Sequence, residues 1–69
     1  MDEDKSAVAA DTLELLMMNQ TAIRAALEEL SLWVSRRGST QVHDNVMTIL
    51  QALDQNAEVI TWGIESLRS

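Results

Sequence analysis

The sequence predicts an all-α protein, an antiparallel two-helix hairpin with a coiled-coil-like seam that turns at Gly38. Three observations lead to this prediction. Proline is absent and glycine occurs only twice, so long stretches contain no residue that breaks a helix. Apolar residues recur at alternating steps of three and four, which is typical of helices that pack along a heptad seam. The strongest turn signal, at Gly38, lies near the middle of the chain.

The chain is short enough to form one small domain at most. We predict a single helical-hairpin domain over 1–69, with helix 1 at about 6–37, a turn at 38–39, helix 2 at about 40–67 and a frayed start at 1–5. Such a unit buries little apolar surface, and the sequence has no cysteine with which to form a disulfide. We therefore expect it to associate into a larger helical bundle.

The residues around the turn suit the ends of two helices. Gly38 has no Cβ and so tolerates the left-handed conformation that follows many helix C-termini. Arg36 and Arg37 place positive charge at the negative end of helix 1. Ser39 or Thr40 is expected to cap helix 2 through its hydroxyl group.

The heptad pattern predicts which residues pack between the helices. In helix 1 the predicted seam is Ala9, Leu13, Leu16, Gln20, Ile23, Leu27, Leu30 and Val34. In helix 2 it is Val42, Val46, Ile49, Leu53, Asn56, Ile60, Gly63 and Leu67. Folding at Gly38 places Leu13 opposite Gly63, and Gln20 opposite Asn56. The two amides either pair and fix the register or both lean toward solvent.

A second set of apolar residues lies outside this predicted seam, and we call it the lateral face. It comprises Leu15, Met18, Ala22, Ala25, Ala26, Leu32, Trp33, Val59 and Trp62. A free hairpin would expose this face to water, and exposed apolar patches usually mark interaction surfaces. The face is expected to bind a different protein or to close a homodimeric four-helix bundle, and the two uses are compatible. The opposite flank of helix 1 is expected to be mostly polar: Glu14, Thr21, Arg24, Glu28, Ser31 and Ser35.

No pattern in the sequence indicates catalysis, a cofactor or a metal site, so we expect the protein not to be an enzyme. Cysteine is absent, and the single histidine, His43, is expected to be solvated in the first turn of helix 2. Paired carboxylates such as Glu28 and Glu29 have no predicted cleft that would shift their pKa values.

Charge and hydropathy narrow the possible partners. The net charge of −6 disfavours binding to nucleic acid or to anionic lipid. No apolar run approaches the roughly 20 residues that span a bilayer. The start, Met1-Asp2-Glu3-Asp4-Lys5, does not look like a signal peptide, so we expect a cytoplasmic location.

From the turn onward the chain resembles the small helical-hairpin co-chaperones of type III secretion needle proteins. The resemblance lies in Arg37-Gly38 at the turn, Ala52-Leu53-Asp54, the stretch Val59-Ile60-Thr61-Trp62 and the final Leu67. Helix 1 matches that family only in its apolar pattern. The secreted Trp-x-Gly hairpins fit less well, because their signature belongs at the turn, whereas Trp62-Gly63 lies inside helix 2.

The resemblance implies a function. In that family the hairpin binds a tetratricopeptide-like helical chaperone, and the pair keeps the needle subunit monomeric in the cytoplasm before export. The lateral face would be the binding surface in such a role. The alternative is a small homodimeric helical regulator or inhibitor that masks a target protein.

Overall fold

A computed structural model describes residues 2–69 and shows two helices joined by a short turn. Helix α1 spans Glu3–Arg36 and helix α2 spans Thr40–Arg68. The helices pack antiparallel into a rod 53 Å long and 16 Å wide, and the described residues contain no strand. The predicted all-α hairpin is therefore confirmed.

Helix α1 begins three residues earlier than the sequence predicted, because Asp2 caps it. The Asp2 carboxylate accepts a hydrogen bond of 2.8 Å from the backbone N–H of Lys5. Glu3 and Asp4 add negative charge to the first turn, where the helix dipole is positive. The expectation of a frayed start is thus wrong for residues 3–5, and for Met1 it lies outside the described residues.

The turn satisfies the last carbonyl groups of α1 through the backbone. Gly38 has a φ of +100°. Its N–H donates to the carbonyl of Ser35 at 3.0 Å, and the N–H of Ser39 donates to the carbonyl of Val34 at 3.2 Å. This is the pair of bonds that a Schellman motif uses, so the predicted role of Gly38 is confirmed. Ser39 occupies the N-cap position of α2, but its side chain makes no capping hydrogen bond, contrary to prediction.

The seam between the helices is rotated from the predicted one. In α1 it runs through Ala10, Leu13, Met17, Gln20, Arg24, Leu27, Ser31 and Val34. In α2 it runs through His43, Val46, Leu50, Leu53, Ala57, Ile60, Ile64 and Leu67. Every second residue of the predicted seam is also in the observed seam. The others include six residues that are exposed instead of buried: Leu16, Ile23, Leu30, Val42, Ile49 and Asn56.

Burial and hydrogen bonding explain the rotated seam. Leu50 and Ile64 become the buried large side chains of α2, with exposed fractions of 1% and 9%. The buried hydroxyl of Ser31 gains a partner in His43, with 2.7 Å between Oγ and Nδ1. Gln20 Nε2 donates to the backbone carbonyl of Leu53 at 3.3 Å. Polar seam positions are therefore satisfied, as buried polar groups require.

Two predicted pairings across the seam are wrong. Gln20 bonds to the backbone of Leu53, while Asn56 is exposed, so the paired amides do not form. Gly63 does not make room for Leu13, because a Cβ built on Gly63 would have no atom within 4 Å outside its own helix backbone. Register is fixed instead by the bond between Ser31 and His43 near the turn, together with the ion pairs described below.

Candidate protein-binding surface

Every residue of the predicted lateral face is exposed in the structure. The large side chains among them are 43–68% exposed, the extremes being Leu32 and Trp62. In heptad terms with the observed seam at positions a and d, the members on α1 occupy positions b, c and f, which face away from α2. The hairpin therefore does not use the lateral face for its own packing.

A further apolar surface borders the seam at position g of both helices, and we call it the apolar flank. It comprises Ala9, Leu16, Ile23 and Leu30 on α1, with Val42, Ile49, Asn56 and Gly63 on α2. Leu16, Ile23 and Leu30 are 58%, 58% and 60% exposed. Sequence reasoning assigned these residues to the core and so missed them as a surface. The sequence does contain a sign of this surface, because α1 carries two adjacent heptad stripes and only one of them can face α2.

The other border of the seam, at position e, is closed by ion pairs, and we call it the ion-paired flank. Arg24 holds Asp54 across the seam in a bidentate arrangement, with distances of 2.6 Å from Nε and 2.9 Å from Nη2. Its Nη1 donates to Glu28 at 2.6 Å. Near the chain ends, Nη2 of Arg68 donates to Asp11 at 2.8 Å and to Glu14 at 2.7 Å. These pairs tie α1 to α2 along one side only.

The ion pairs shift the pKa values of Arg24, Asp54 and Arg68. Hydrogen bonds from Arg24 lower the pKa of Asp54, with a smaller contribution from the attraction of opposite charges. The hydrogen bond to Asp54, followed by that to Glu28, raises the pKa of Arg24. The hydrogen bonds to Asp11 and Glu14 raise the pKa of Arg68. Each group thus keeps its charge in the folded hairpin.

The structure corrects the expected positions of three residues, since the sequence placed Ser31 and Arg24 on the polar flank of helix 1 and His43 in solvent. Ser31 is 2% exposed and lies in the seam rather than on a polar flank. His43 is half-buried, because its ring packs into the seam to bond with Ser31. Arg24 also occupies a seam position, where its side chain is 30% exposed and bonds to Asp54 at the edge of the seam.

A tryptophan and an arginine sit together at the turn end of α1. The guanidinium carbon of Arg37 lies 4.6 Å from the centre of the Trp33 ring, which is a cation–π arrangement. Close by, Ala26, Glu29, Leu30 and Trp33 line a shallow open groove. This groove spans the border between the lateral face and the apolar flank, so the two surfaces are continuous along α1.

Two other kinds of site are absent from the part of the chain that the structure describes. In residues 2–69, no group of three or more histidine, cysteine, aspartate or glutamate side chains is placed to hold a metal ion. Over the same residues, neither helix combines the length and apolarity needed to cross a membrane. What the described residues offer chemically is exposed apolar surface on both helices.

Comparison with known proteins adds no family to this description. Neither the protein-family models, nor the curated proteins, nor the solved structures with which the chain was compared contain a match to it.

Proposed function

We propose that this hairpin is a protein-binding co-chaperone of a type III secretion system. In this role it binds a tetratricopeptide-like chaperone in the cytoplasm and, through that chaperone, helps to keep the needle subunit monomeric before export. One observation carries the binding role: the whole lateral face is exposed although the hairpin is complete without it. The assignment to secretion rests on the resemblance that begins at Arg37-Gly38.

The distribution of polar residues supports binding through α1. Outside the seam, position e of α1 is polar from Glu14 onward, whereas positions b, c, f and g are mostly apolar over the middle of the helix, with Asn19 and Glu29 as the polar exceptions. A helix that is apolar on most of its sides is normally buried among other helices. The outer side of α2 differs from that of α1. It carries an exposed polar stripe of Asp44, Gln51, Glu58 and Glu65.

Binding of this kind acts by mass action. A partner that binds the folded hairpin stabilises both components, and the covered apolar surface is withdrawn from aggregation. Ala22, Ala25 and Ala26 allow another helix to approach closely, while Trp33 and Trp62 are the side-chain type that most often anchors an interface. No catalytic step is part of this function.

Affinity capture from the native cell, followed by identification of the bound proteins, tests the proposal. Ala25→Glu should abolish capture of the partner while leaving helicity intact, because the carboxylate would be desolvated without a counter-charge. Ala7→Glu, an exposed alanine at position e of the same helix, is the matched control and should retain the partner.

The identity of the captured proteins separates the proposed function from its alternative. A tetratricopeptide-like chaperone together with a needle subunit supports the co-chaperone role. Capture of an unrelated target instead supports a helical regulator or inhibitor that masks that target, and loss of binding by Ala7→Glu but not by Ala25→Glu means that the lateral face is not the binding surface.

A further inference from the structure

We propose that the apolar flank is the interface between two copies of this chain, packed antiparallel about a twofold axis as a four-helix bundle. Leu16, Ile23, Leu30, Val42 and Ile49 form a continuous ridge that is 45–60% exposed in the single hairpin. Most closed homodimers have twofold symmetry, in which the same patch on each copy must be complementary to itself. The apolar flank meets that condition in shape and in charge.

A twofold axis across the rod stacks each helix on its own counterpart. Helix α1 then packs antiparallel on α1 of the second copy, and α2 packs on α2. With the axis through the middle of the flank, Leu16 lies opposite Ile23 of the second copy, and Ala9 lies opposite Leu30. On the other helix the same axis passes near Asn56, the one polar side chain of the flank, which lies opposite its own counterpart, and Gly63 lies opposite Ile49 of the second copy.

The sizes of the opposed side chains are complementary. Towards the turn the flank is bulky, with Leu30 and Ile49, whereas the far end is small, with Ala9 and Gly63. Antiparallel packing brings each bulky end against a small end. Gly63 adds an independent observation, because glycine weakens the interior of a helix and nothing in the hairpin needs the space it leaves. A side chain from a second copy would use that space.

The charges at the two ends of the flank are also complementary. On α1 the column of g positions begins at Asp2 and ends at Arg37, so antiparallel packing places each Asp2 beside Arg37 of the second copy. Glu3 and Asp4 strengthen the negative end, and Arg36 strengthens the positive end. Within the described residues, Arg37 stacks on Trp33 and takes part in no ion pair, which leaves its charge available.

This interface leaves room for a different partner. Met18, Ala25 and Leu32 lie at position b of α1, on the side away from the apolar flank, and stay exposed in the twofold bundle. Self-association therefore leaves this part of the lateral face free for the proposed co-chaperone binding. The experiment below involves the purified protein alone, so its outcome is independent of the proposed function.

Cysteine cross-linking tests the geometry, because the chain has no native cysteine. Leu16→Cys and Ile23→Cys are prepared as separate proteins, mixed at about equal concentration and oxidised gently. We expect a disulfide-linked pair containing one chain of each variant. Each variant alone should link at least ten-fold less, since identical positions lie roughly 10 Å apart along the axis, beyond disulfide range.

A matched mixture on the ion-paired flank, Glu14→Cys with Thr21→Cys, provides the control and should link no better than random collision. Equal linking of the control mixture would overturn the proposal. So would linking of Ile23→Cys to Ile49→Cys in preference to Leu16→Cys, because that pair requires parallel hairpins. Sedimentation of the unmodified protein as a monomer at about 100 μM would also overturn it, since specific dimers normally form well below that concentration.

Discussion

The two flanks of the hairpin border the same seam but differ in the side chains that line them. The ion-paired flank is closed within the chain, because Arg24 and Arg68 reach carboxylates on the facing helix. The apolar flank places aliphatic side chains at the matching positions and leaves them more than two-fifths exposed. Surface ion pairs add little stability, but they make one side polar enough to face water. The difference teaches that the hairpin can close one side of its seam within the chain and leave the other open, and the open side is the one that we propose a second copy covers.

The largest expected effect compares two neighbouring residues, Leu50 in the seam and Ile49 on the apolar flank. Leu50 is 1% exposed, whereas Ile49 is 56% exposed. Leu50→Ala should lower the free energy of unfolding by about 2–5 kcal/mol, because it opens a cavity. Ile49→Ala should lower that of the isolated hairpin by less than about 1 kcal/mol. Urea unfolding at low protein concentration measures both, and a larger loss for Ile49→Ala would favour the seam predicted from the sequence.

A smaller effect separates the two roles of Gly63. Gly63→Ala should stabilise the isolated hairpin by roughly 0.5–1 kcal/mol, because alanine loses less backbone entropy in a helix. The same change should weaken the dimer, since its methyl group enters the space opposite Ile49 of the second copy. Thermal unfolding at low protein concentration measures the stability of the isolated hairpin, and sedimentation at high concentration measures dimerisation. If the substitution strengthens dimerisation, Gly63 does not provide room at the interface.

The smallest expected effect is the loss of stability at low pH that comes from the ion-paired flank. Because hydrogen bonds from Arg24 lower the pKa of Asp54, this pair contributes its stability above the unfolded pKa of about 3.9 and loses it as the pH falls through the folded pKa. The melting temperature should therefore fall as the pH is lowered from about 5 to about 3. In Asp54→Asn the fall should be smaller. An identical fall in both proteins would mean that the Arg24–Asp54 pair does not form in solution.

Sequence reasoning predicted the fold because its signals are local. Gly38 marks the turn, and an uninterrupted run of helix-forming residues on each side leaves few alternatives to a hairpin. Exposure of the lateral face was also predictable, since Met18, Ala25 and Leu32 lie far from any stripe that could face the second helix. In contrast, the start of α1 was missed because capping by Asp2 was not considered.

The rotation of the seam could not be read from hydrophobicity. The more apolar stripe, through Leu16, Ile23 and Leu30, was expected to face α2. In the structure the neighbouring stripe does so, although it contains Arg24 and Ser31. That choice depends on bonds across the two helices, such as Ser31 to His43, which no local pattern reveals. It also turns the more apolar stripe outward, where the apolar flank forms.

Isotope-filtered NMR on a mixture of labelled and unlabelled protein tests the central claim, that the apolar flank lies outside the hairpin core and is covered by a second copy. The account predicts contacts between chains from the methyl groups of Ile23 to those of Leu16, while the methyl groups of Leu50 contact only their own chain. If the Ile23 methyl groups instead contact only Leu53 within the same chain, Ile23 lies in the hairpin seam and the claim is contradicted.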